Sequence, residues 1–244
     1  MIADRILALV LTFWATIFLV QASPSASPAA DSRKELEMTK LVRLQNDFIE
    51  TIKANGFKPT LAAPAIVLDN PPSYGNYEDE KNILHIAVWT ALSTEQQARF
   101  TRLAALLGGG ESGEEAFEDG VHHWVFVHEL SHWWQACQHA TGGSHYSVEY
   151  GANRIAAAYW RAKDPAFMKR TEKKMDTVIA TLPPQVIPAG QTQEQYFDEN
   201  YEKLGPTPAY IWFQYSMVLK VQRRAPFPWR ESHLNMHCNI PWEI

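Results

Sequence analysis

The stretch VHHWVFVHELSHWWQACQ, residues 121–138, is predicted to form one buried helix that carries the pattern H-E-x-x-H. His128 and His132 lie four residues apart, so their imidazoles project from one helix face and can bind one metal ion. Imidazole nitrogen is a preferred ligand of Zn²⁺, and two such ligands leave room for a third protein ligand and a water. Glu129 lies at the edge of the same face, where a carboxylate can act as general base toward that water. The stretch therefore predicts a zinc site beside a base.

The alternative is a buried helix whose histidines bond only to backbone carbonyls. The flanks argue against it, because they are apolar nearly all round the helix: Val121, Trp124, Val125, Phe126, Val127, Leu130, Trp133 and Trp134. Burying two imidazoles and a carboxylate among such side chains is costly unless a partner compensates, and a metal ion does so. Neighbouring His122 falls on the wrong side of the helix, and neither it nor His123 is expected to be a ligand.

The length and composition of the chain are typical of one globular domain of ordinary size. The 244 residues are 46% apolar and 20% charged, and they contain no internal repeat. The formal net charge is −5, and there is no basic cluster beyond Arg223-Arg224. We therefore expect no nucleic acid partner. Nothing in the composition sets the oligomeric state.

The N-terminus is predicted to be targeting sequence followed by a linker. An apolar run, Ile6 to Val20, follows Arg5 and precedes Ala22, a small residue where signal peptidase requires one, which predicts a signal peptide over residues 1–22. Residues 23–32 are too poor in large apolar groups to fold and are predicted to be a disordered linker. An uncleaved anchor is the alternative, but about 15 apolar residues is short for a bilayer. The expected product is secreted or periplasmic, without stable membrane insertion after cleavage.

The chain has two cysteines, Cys137 and Cys238. An even count in an exported chain predicts one disulfide, here joining the end of the metal-site helix to the C-terminal tail. Two unpaired buried thiols are the alternative.

Caps and apolar periodicity predict an α+β fold that is mostly helical. Helices are expected to begin at Ser32, Ser93, Ser147, Asp164, Thr192 and Thr207. Phe57 to Asp69 is predicted to be extended, and Asn82 to Thr90 to be a buried strand. A glycine-rich acidic loop, Gly108 to Gly120, is expected to lead into the metal-site helix.

A third protein ligand has to come from outside the motif. The metzincin pattern, H-E-x-x-H-x-x-G-x-x-H, does not fit, because Gln135 and Gln138 occupy the glycine and last histidine positions. On a continued helix His139 would lie about 10 Å along the axis from His132, too far to share an ion. His145 is an alternative, but it precedes the next predicted helix and has no rigid support.

Glu149 is the preferred third ligand. It lies on the predicted helix Ser147 to Arg161, which has a face of very small residues: Gly151, Ala152, Ala156 and Ala157. Small residues let two helices approach closely, as a carboxylate needs in order to reach a metal held by its neighbour. Asn153 falls on the same face and could accept a hydrogen bond from the far nitrogen of a ligand histidine.

Five residues resemble the pattern of the gluzincins, the thermolysin-like zinc metallopeptidases: His128, Glu129, His132, Glu149 and, more loosely, Asn153, where thermolysin places an aspartate. The resemblance covers Val121 to Arg161 at motif level. It implies a zincin-like fold with a small sheet and an active-site helix pair, forming a single catalytic domain over residues 33–244. It also implies that substrate lies along the predicted strand, Asn82 to Thr90.

Gluzincins often use a tyrosine or histidine from the C-terminal part to donate a hydrogen bond to the oxyanion. The resemblance makes Tyr210 the first candidate here, because it lies at a predicted helix start. Tyr201, Tyr215 and His233 are alternatives, and each tyrosine could instead belong to the core.

The expected function is that of an exported peptidase acting on a peptide or protein substrate. Zn²⁺ would be held by His128, His132 and Glu149, with Glu129 as the catalytic base. Two alternatives stay open: a zinc hydrolase of the same architecture with a non-protein substrate, and a non-catalytic exported binding module with a structural zinc. The intact Glu129 favours an enzyme, because a structural site has no use for a base beside it.

Overall fold

The computed structural model describes residues 28–182, 187–205 and 207–223. The predicted signal peptide, residues 1–22, lies outside them. Within the described residues the protein is mostly helical and contains a three-stranded sheet. The α+β class is therefore confirmed.

The α-helices of these residues are α1 Pro28–Ala54, α2 Thr94–Leu107, α3 Gly113–Phe117, α4 Phe126–Cys137, α5 His145–Lys163, α6 Pro165–Thr181, α7 Gln193–Leu204 and α8 Pro208–Arg223. The strands are β1 Ala65–Asp69, β2 Gly75–Glu78 and β3 Ile83–Ala87. None of the helices in this part of the chain combines the length and apolar character that crossing a membrane requires.

The sheet has the order β1-β3-β2, so β3 is its central strand. β1 runs parallel to β3, with Val67 opposite His85, and β2 runs antiparallel to it, with Tyr77 opposite Leu84. The strand predicted over Asn82 to Thr90 is present as the shorter β3, which has neighbours on both sides and no free edge for a substrate, contrary to expectation. The edge strand that packs against α4 is β2, which the sequence pattern did not predict.

A continuous helical stretch runs through α3, a π-helical segment (Glu118–Val125) and α4. The predicted loop Gly108 to Gly120 is therefore wrong beyond Ser112. The Ser112 side chain accepts from the Glu115 N–H, while the Glu115 carboxylate accepts from the Ser112 N–H, a reciprocal pair that begins α3. This S-x-x-E signal was present in the sequence.

Two further helix starts differ from prediction. α1 begins at Pro28, inside the predicted linker (residues 23–32), rather than at Ser32. Proline suits the first position of a helix and Ala29-Ala30 are strong helix formers, so the helix extends backward. α5 is capped by Ser144, whose hydroxyl accepts from the Ser147 N–H, so Ser147 is not the cap.

The metal-site helix α4 lies in the middle of the main core. The side chains of Phe126, Val127, Leu130, Trp133 and Trp134 on α4 are fully buried. They belong to one apolar cluster with residues of α1, the sheet, α5 and α6. A second cluster joins the start of α5 to α7 and α8 and contains Tyr146, Phe197, Leu204, Phe213 and Met217. The two clusters hold α5 between α4 and the C-terminal helices.

Cys137 is buried at the end of α4. Cys238 lies outside the described residues, so the disulfide between them stays a prediction.

Candidate metal centre

Three side chains from α4 and α5 converge at one point. His128 Nε2 lies 3.1 Å from His132 Nε2 and 3.2 Å from Glu149 Oε2. His132 Nε2 lies 3.7 Å from the same carboxylate oxygen. The candidate ligand atoms all lie within 4.8 Å of one another. His128 and Glu149 are buried and His132 is half-buried, so this group could hold a metal ion.

The small residues of α5 permit the close approach that brings Glu149 to the histidines. Ala152 and Ala156 are fully buried between helices. A Cβ added to Gly151 would lie 2.6 Å from the Nε2 of Gln135 on α4, closer than such atoms pack. A side chain at this position would therefore displace the Gln135 amide group from its present position.

A side-chain amide orients the His132 ring. Gln135 Nε2 donates to the carbonyl of Val148 at 2.9 Å, and a carbonyl can only accept, so Gln135 Oε1 faces the other way. That oxygen lies 2.9 Å from His132 Nδ1. Nδ1 must therefore carry the proton and donate it, which leaves His132 Nε2 facing the cluster.

His128 is oriented through a longer chain of amides. Gln214 of α8 donates from Nε2 to Glu149 Oε2 at 2.8 Å, so its Oε1 accepts from Asn153 Nδ2, at 2.6 Å. Asn153 Oδ1 is then left to accept from His128 Nδ1, at 3.1 Å. The hydrogen bond that was predicted between Asn153 and a candidate ligand histidine is therefore present. The chain closes into a ring, because His128 Nε2 lies against Glu149.

These contacts fit a bound metal ion by the chemistry of the donor set. Both Nδ1 atoms are committed as donors, so in neutral histidine both Nε2 lone pairs face each other and the Glu149 carboxylate. Lone pairs and a negative charge at such distances repel unless a cation lies among them. Two imidazole nitrogens and one carboxylate oxygen are the ligand set of many catalytic zinc sites.

The pKa values of Glu149 and His132 are shifted in opposite directions, as in an ion pair. Burial raises the pKa of Glu149, but the hydrogen bonds to His128 and His132 outweigh it and hold that pKa well below its usual range. Burial lowers the pKa of His132, yet the hydrogen bond and charge of Glu149 raise it to about 9. A metal ion bound here would displace the proton from His132.

Glu149 has a further partner that the sequence pattern did not reveal. The Tyr201 hydroxyl donates to Glu149 Oε1 at 2.8 Å. Together with Gln214, it gives each carboxylate oxygen a donor, which fixes the carboxylate plane. No spacing in the sequence links these residues, because Tyr201 lies 52 positions and Gln214 lies 65 positions from Glu149.

The predicted base, Glu129, lies beside the cluster on α4. Its Oε2 accepts a hydrogen bond from the backbone N–H of Tyr77 in β2, at 2.9 Å. Its charge contributes to the raised pKa of His132, so it lies within electrostatic reach of the ligand set.

Comparison with protein-family models, curated proteins and solved structures finds no match in any of the three. The gluzincin resemblance therefore rests on the motif residues and their geometry alone.

The other histidines of the described residues lie outside the ligand group, and His85 Nδ1, for example, lies 2.6 Å from Asp69 Oδ2. His122 Nε2 donates to the Ala87 carbonyl at 2.9 Å, and His123 Nδ1 lies 3.4 Å from Asp119. His145 is the first residue of α5, and its ring stacks on Tyr201 at 4.1 Å between centroids. His139 follows α4 in a left-handed conformation, with φ of 52°. None of them joins the cluster of possible metal ligands.

The candidates for oxyanion stabilisation lie at different distances from the cluster. Tyr201 touches it through Glu149, and the Tyr210 ring packs against Tyr201 with centroids 6.2 Å apart. Burial and the charge of Glu149 raise the pKa of both hydroxyls, so both stay protonated as donors. Tyr215 packs against the main core. His233 lies outside the described residues.

Proposed function

We propose that the protein is an exported zinc metallopeptidase with a zincin-like fold. The observation that carries the proposal is the ligand group His128, His132 and Glu149, whose two imidazoles are held with Nε2 inward. Glu129 beside this group supports catalysis, because a structural metal has no use for an adjacent base. The export part rests on the predicted signal peptide, residues 1–22.

The proposed chemistry divides between the metal and the chain. When bound by the three ligands, Zn²⁺ would lower the pKa of a water molecule and polarise the scissile carbonyl. Glu129 takes the proton from the attacking water and later delivers it to the leaving amine. The backbone N–H of Tyr77 holds Oε2 of Glu129, which leaves Oε1 to accept the proton. Tyr210 is the preferred donor to the negative charge that develops on the carbonyl oxygen, because the single hydroxyl proton of Tyr201 is already donated to Glu149 Oε1.

The position of β2 supports a peptide as the substrate. Among the described strands β2 pairs only with β3, and Tyr77 directs its N–H toward Glu129 rather than toward β3. The outer edge of β2 therefore borders the proposed base. An outer strand edge is where an extended peptide adds by backbone hydrogen bonds. The substrate expected along Asn82 to Thr90 is thus assigned to β2 instead.

The test combines metal analysis with peptide cleavage. Protein purified without chelators should contain about one zinc per chain and should cleave members of a peptide library. Glu129→Gln should keep the zinc and lose hydrolysis by roughly three or more orders of magnitude, because an amide cannot accept the proton. Protein without any transition metal would refute the zinc site. A Glu129→Gln variant that keeps most of the wild-type rate would refute the role of Glu129.

A further inference from the structure

Gly75 is the point at which β2 comes closest to the metal-site helix. A Cβ added there would lie 2.4 Å from Val125 Cγ1, 3.2 Å from Ile86 Cδ1 and 3.3 Å from Glu129 Cγ. Gly75 is buried, and its φ does not lie in the left-handed region. Glycine is therefore required for space and not for backbone conformation.

This approach brings a backbone donor to the proposed base. Two residues after Gly75, the N–H of Tyr77 donates to Glu129 Oε2 at 2.9 Å. Tyr77 is held in turn by its place opposite Leu84 and by its hydroxyl, which donates to Asn82 Oδ1 at 3.1 Å. A donor that belongs to a paired strand cannot rotate away, whereas a glutamate side chain on a helix has several rotamers. The strand therefore selects one orientation of the carboxylate.

We propose that Gly75 is a positioning residue for Glu129. Its missing side chain lets β2 lie against Val125, and only at that separation does the Tyr77 N–H hold the carboxylate. The catalytic consequence rests on the proposed function, in which Glu129 is the base. The contact between Tyr77 and Glu129 does not depend on that function and can be measured without a substrate.

Alanine at position 75 should open this contact. The added methyl needs a carbon–carbon separation of about 3.5 to 4.0 Å instead of 2.4 Å, so the strand or Val125 must move by roughly 1 to 1.5 Å. Val125 is β-branched in a helical segment and is stiff about χ1, so the strand moves rather than the valine. The Tyr77–Glu129 distance would then reach about 4 Å, beyond hydrogen-bonding range.

The experiment tests whether shortening Val125 compensates for the methyl group added at position 75. The variants are Gly75→Ala, Val125→Ala and the double variant Gly75→Ala with Val125→Ala. Gly120→Ala is the matched control, because nothing lies within 4 Å of the added Cβ and φ is not in the left-handed region. Zinc content, thermal unfolding, hydrogen exchange of the Tyr77 amide by NMR, and kcat and KM on a cleaved peptide are measured for each.

Gly75→Ala should keep its zinc, exchange the Tyr77 amide at least about tenfold faster, and lose about 10- to 100-fold in kcat with little change in KM. The double variant should recover both the protection of the Tyr77 amide from exchange and kcat to within a few-fold of Val125→Ala. The reason is that it lacks the Val125 methyl group with which the Cβ added at position 75 clashes. Gly120→Ala should match wild type. Glu129→Ala should also speed exchange of the Tyr77 amide, since it removes the acceptor.

Two results would overturn the proposal. One is unchanged Tyr77 exchange in Gly75→Ala or in Glu129→Ala. The other is a double variant that folds and binds zinc but shows no recovery. If wild type cleaves no peptide, the proposed function fails, while the exchange measurements still decide whether Gly75 positions Glu129.

Discussion

If the candidate metal centre holds zinc as proposed, Gln214 is expected to control how tightly it does so, although Gln214 is not a ligand. Its amide group donates to Glu149 Oε2 at 2.8 Å and accepts from Asn153 at 2.6 Å. Gln214→Leu keeps a similar volume and removes both hydrogen bonds. Glu149 then loses one of its two donors, and Asn153 loses the partner that turns its oxygen toward His128.

The expected loss of zinc affinity in Gln214→Leu follows from the strength and the role of the two hydrogen bonds. A bond to a charged carboxylate is worth about 1.5 to 3 kcal/mol, and part of it is recovered by water or by relaxation of the side chain. Changes to residues that orient metal ligands typically weaken binding by about 10- to 100-fold, or about 1.4 to 2.7 kcal/mol. Zinc affinity of Gln214→Leu should fall within that range. Truncation of a ligand, Glu149→Ala, should reduce it by far more.

The assay is competition titration against a zinc chelator at fixed pH. Gln191→Leu provides a matched control, because Gln191 also donates from Nε2 to a glutamate, Glu199, at 2.7 Å, but at an exposed position away from the cluster. We expect zinc affinity in the order wild type and Gln191→Leu, then Gln214→Leu, then Glu149→Ala. A Gln214→Leu protein that binds zinc as tightly as Gln191→Leu would refute the reasoning.

Two further predictions concern the third ligand and stability at low pH. Glu149→Ala should lose zinc while His145→Ala binds it nearly as wild type does, because the His145 ring lies outside the ligand group; the reverse result in a chelator titration would exclude the gluzincin arrangement. Partial burial raises the pKa of Asp119, but hydrogen bonds from His123 and Lys174 lower it to about 2 from 3.8. This lowered pKa stabilises the fold above about pH 4, and the stabilisation disappears as pH falls toward 2. Asp119→Asn should therefore cost about 1 kcal/mol near neutral pH, after allowing for solvent screening, and the difference in urea unfolding should shrink below about pH 4; a constant difference would contradict the assignment.

Local signals in the sequence predicted the elements that depend on neighbouring residues. Ser93 with Gln96 and Thr192 with Gln195 form the reciprocal caps that their spacing predicts, and Asp164 caps α6. These caps are local because the hydrogen bonds join residues three apart. The packing of α4 against α5 could also be predicted from the sequence, because very small residues on one face of α5 indicate a close helix contact.

The pairing of strands from distant parts of the chain could not be predicted from such local signals. β2 is four residues long, GNYE, and has no apolar alternation, so only its hydrogen bonds to β3 make it a strand. The position of β3 at the centre of the sheet likewise depends on two partners from other parts of the chain. Periodicity reports which face of an element is buried, and it does not report which element lies beside it.

The candidate metal centre shows the same difference between local and long-range contacts. Spacing on α4 determines that His128 and His132 share a face, because the helix repeat places residues four apart side by side. Gln135 and Asn153 orient their rings, and the amides of these two residues are held in turn by the Val148 carbonyl of α5 and by Gln214 of α8. The backbone of β2 orients the Glu129 carboxylate. These contacts join residues up to 61 positions apart. The sequence by itself thus determined the candidate ligands, while tertiary packing alone decided how they are held, because hydrogen bonds between distant elements exist only once those elements have packed.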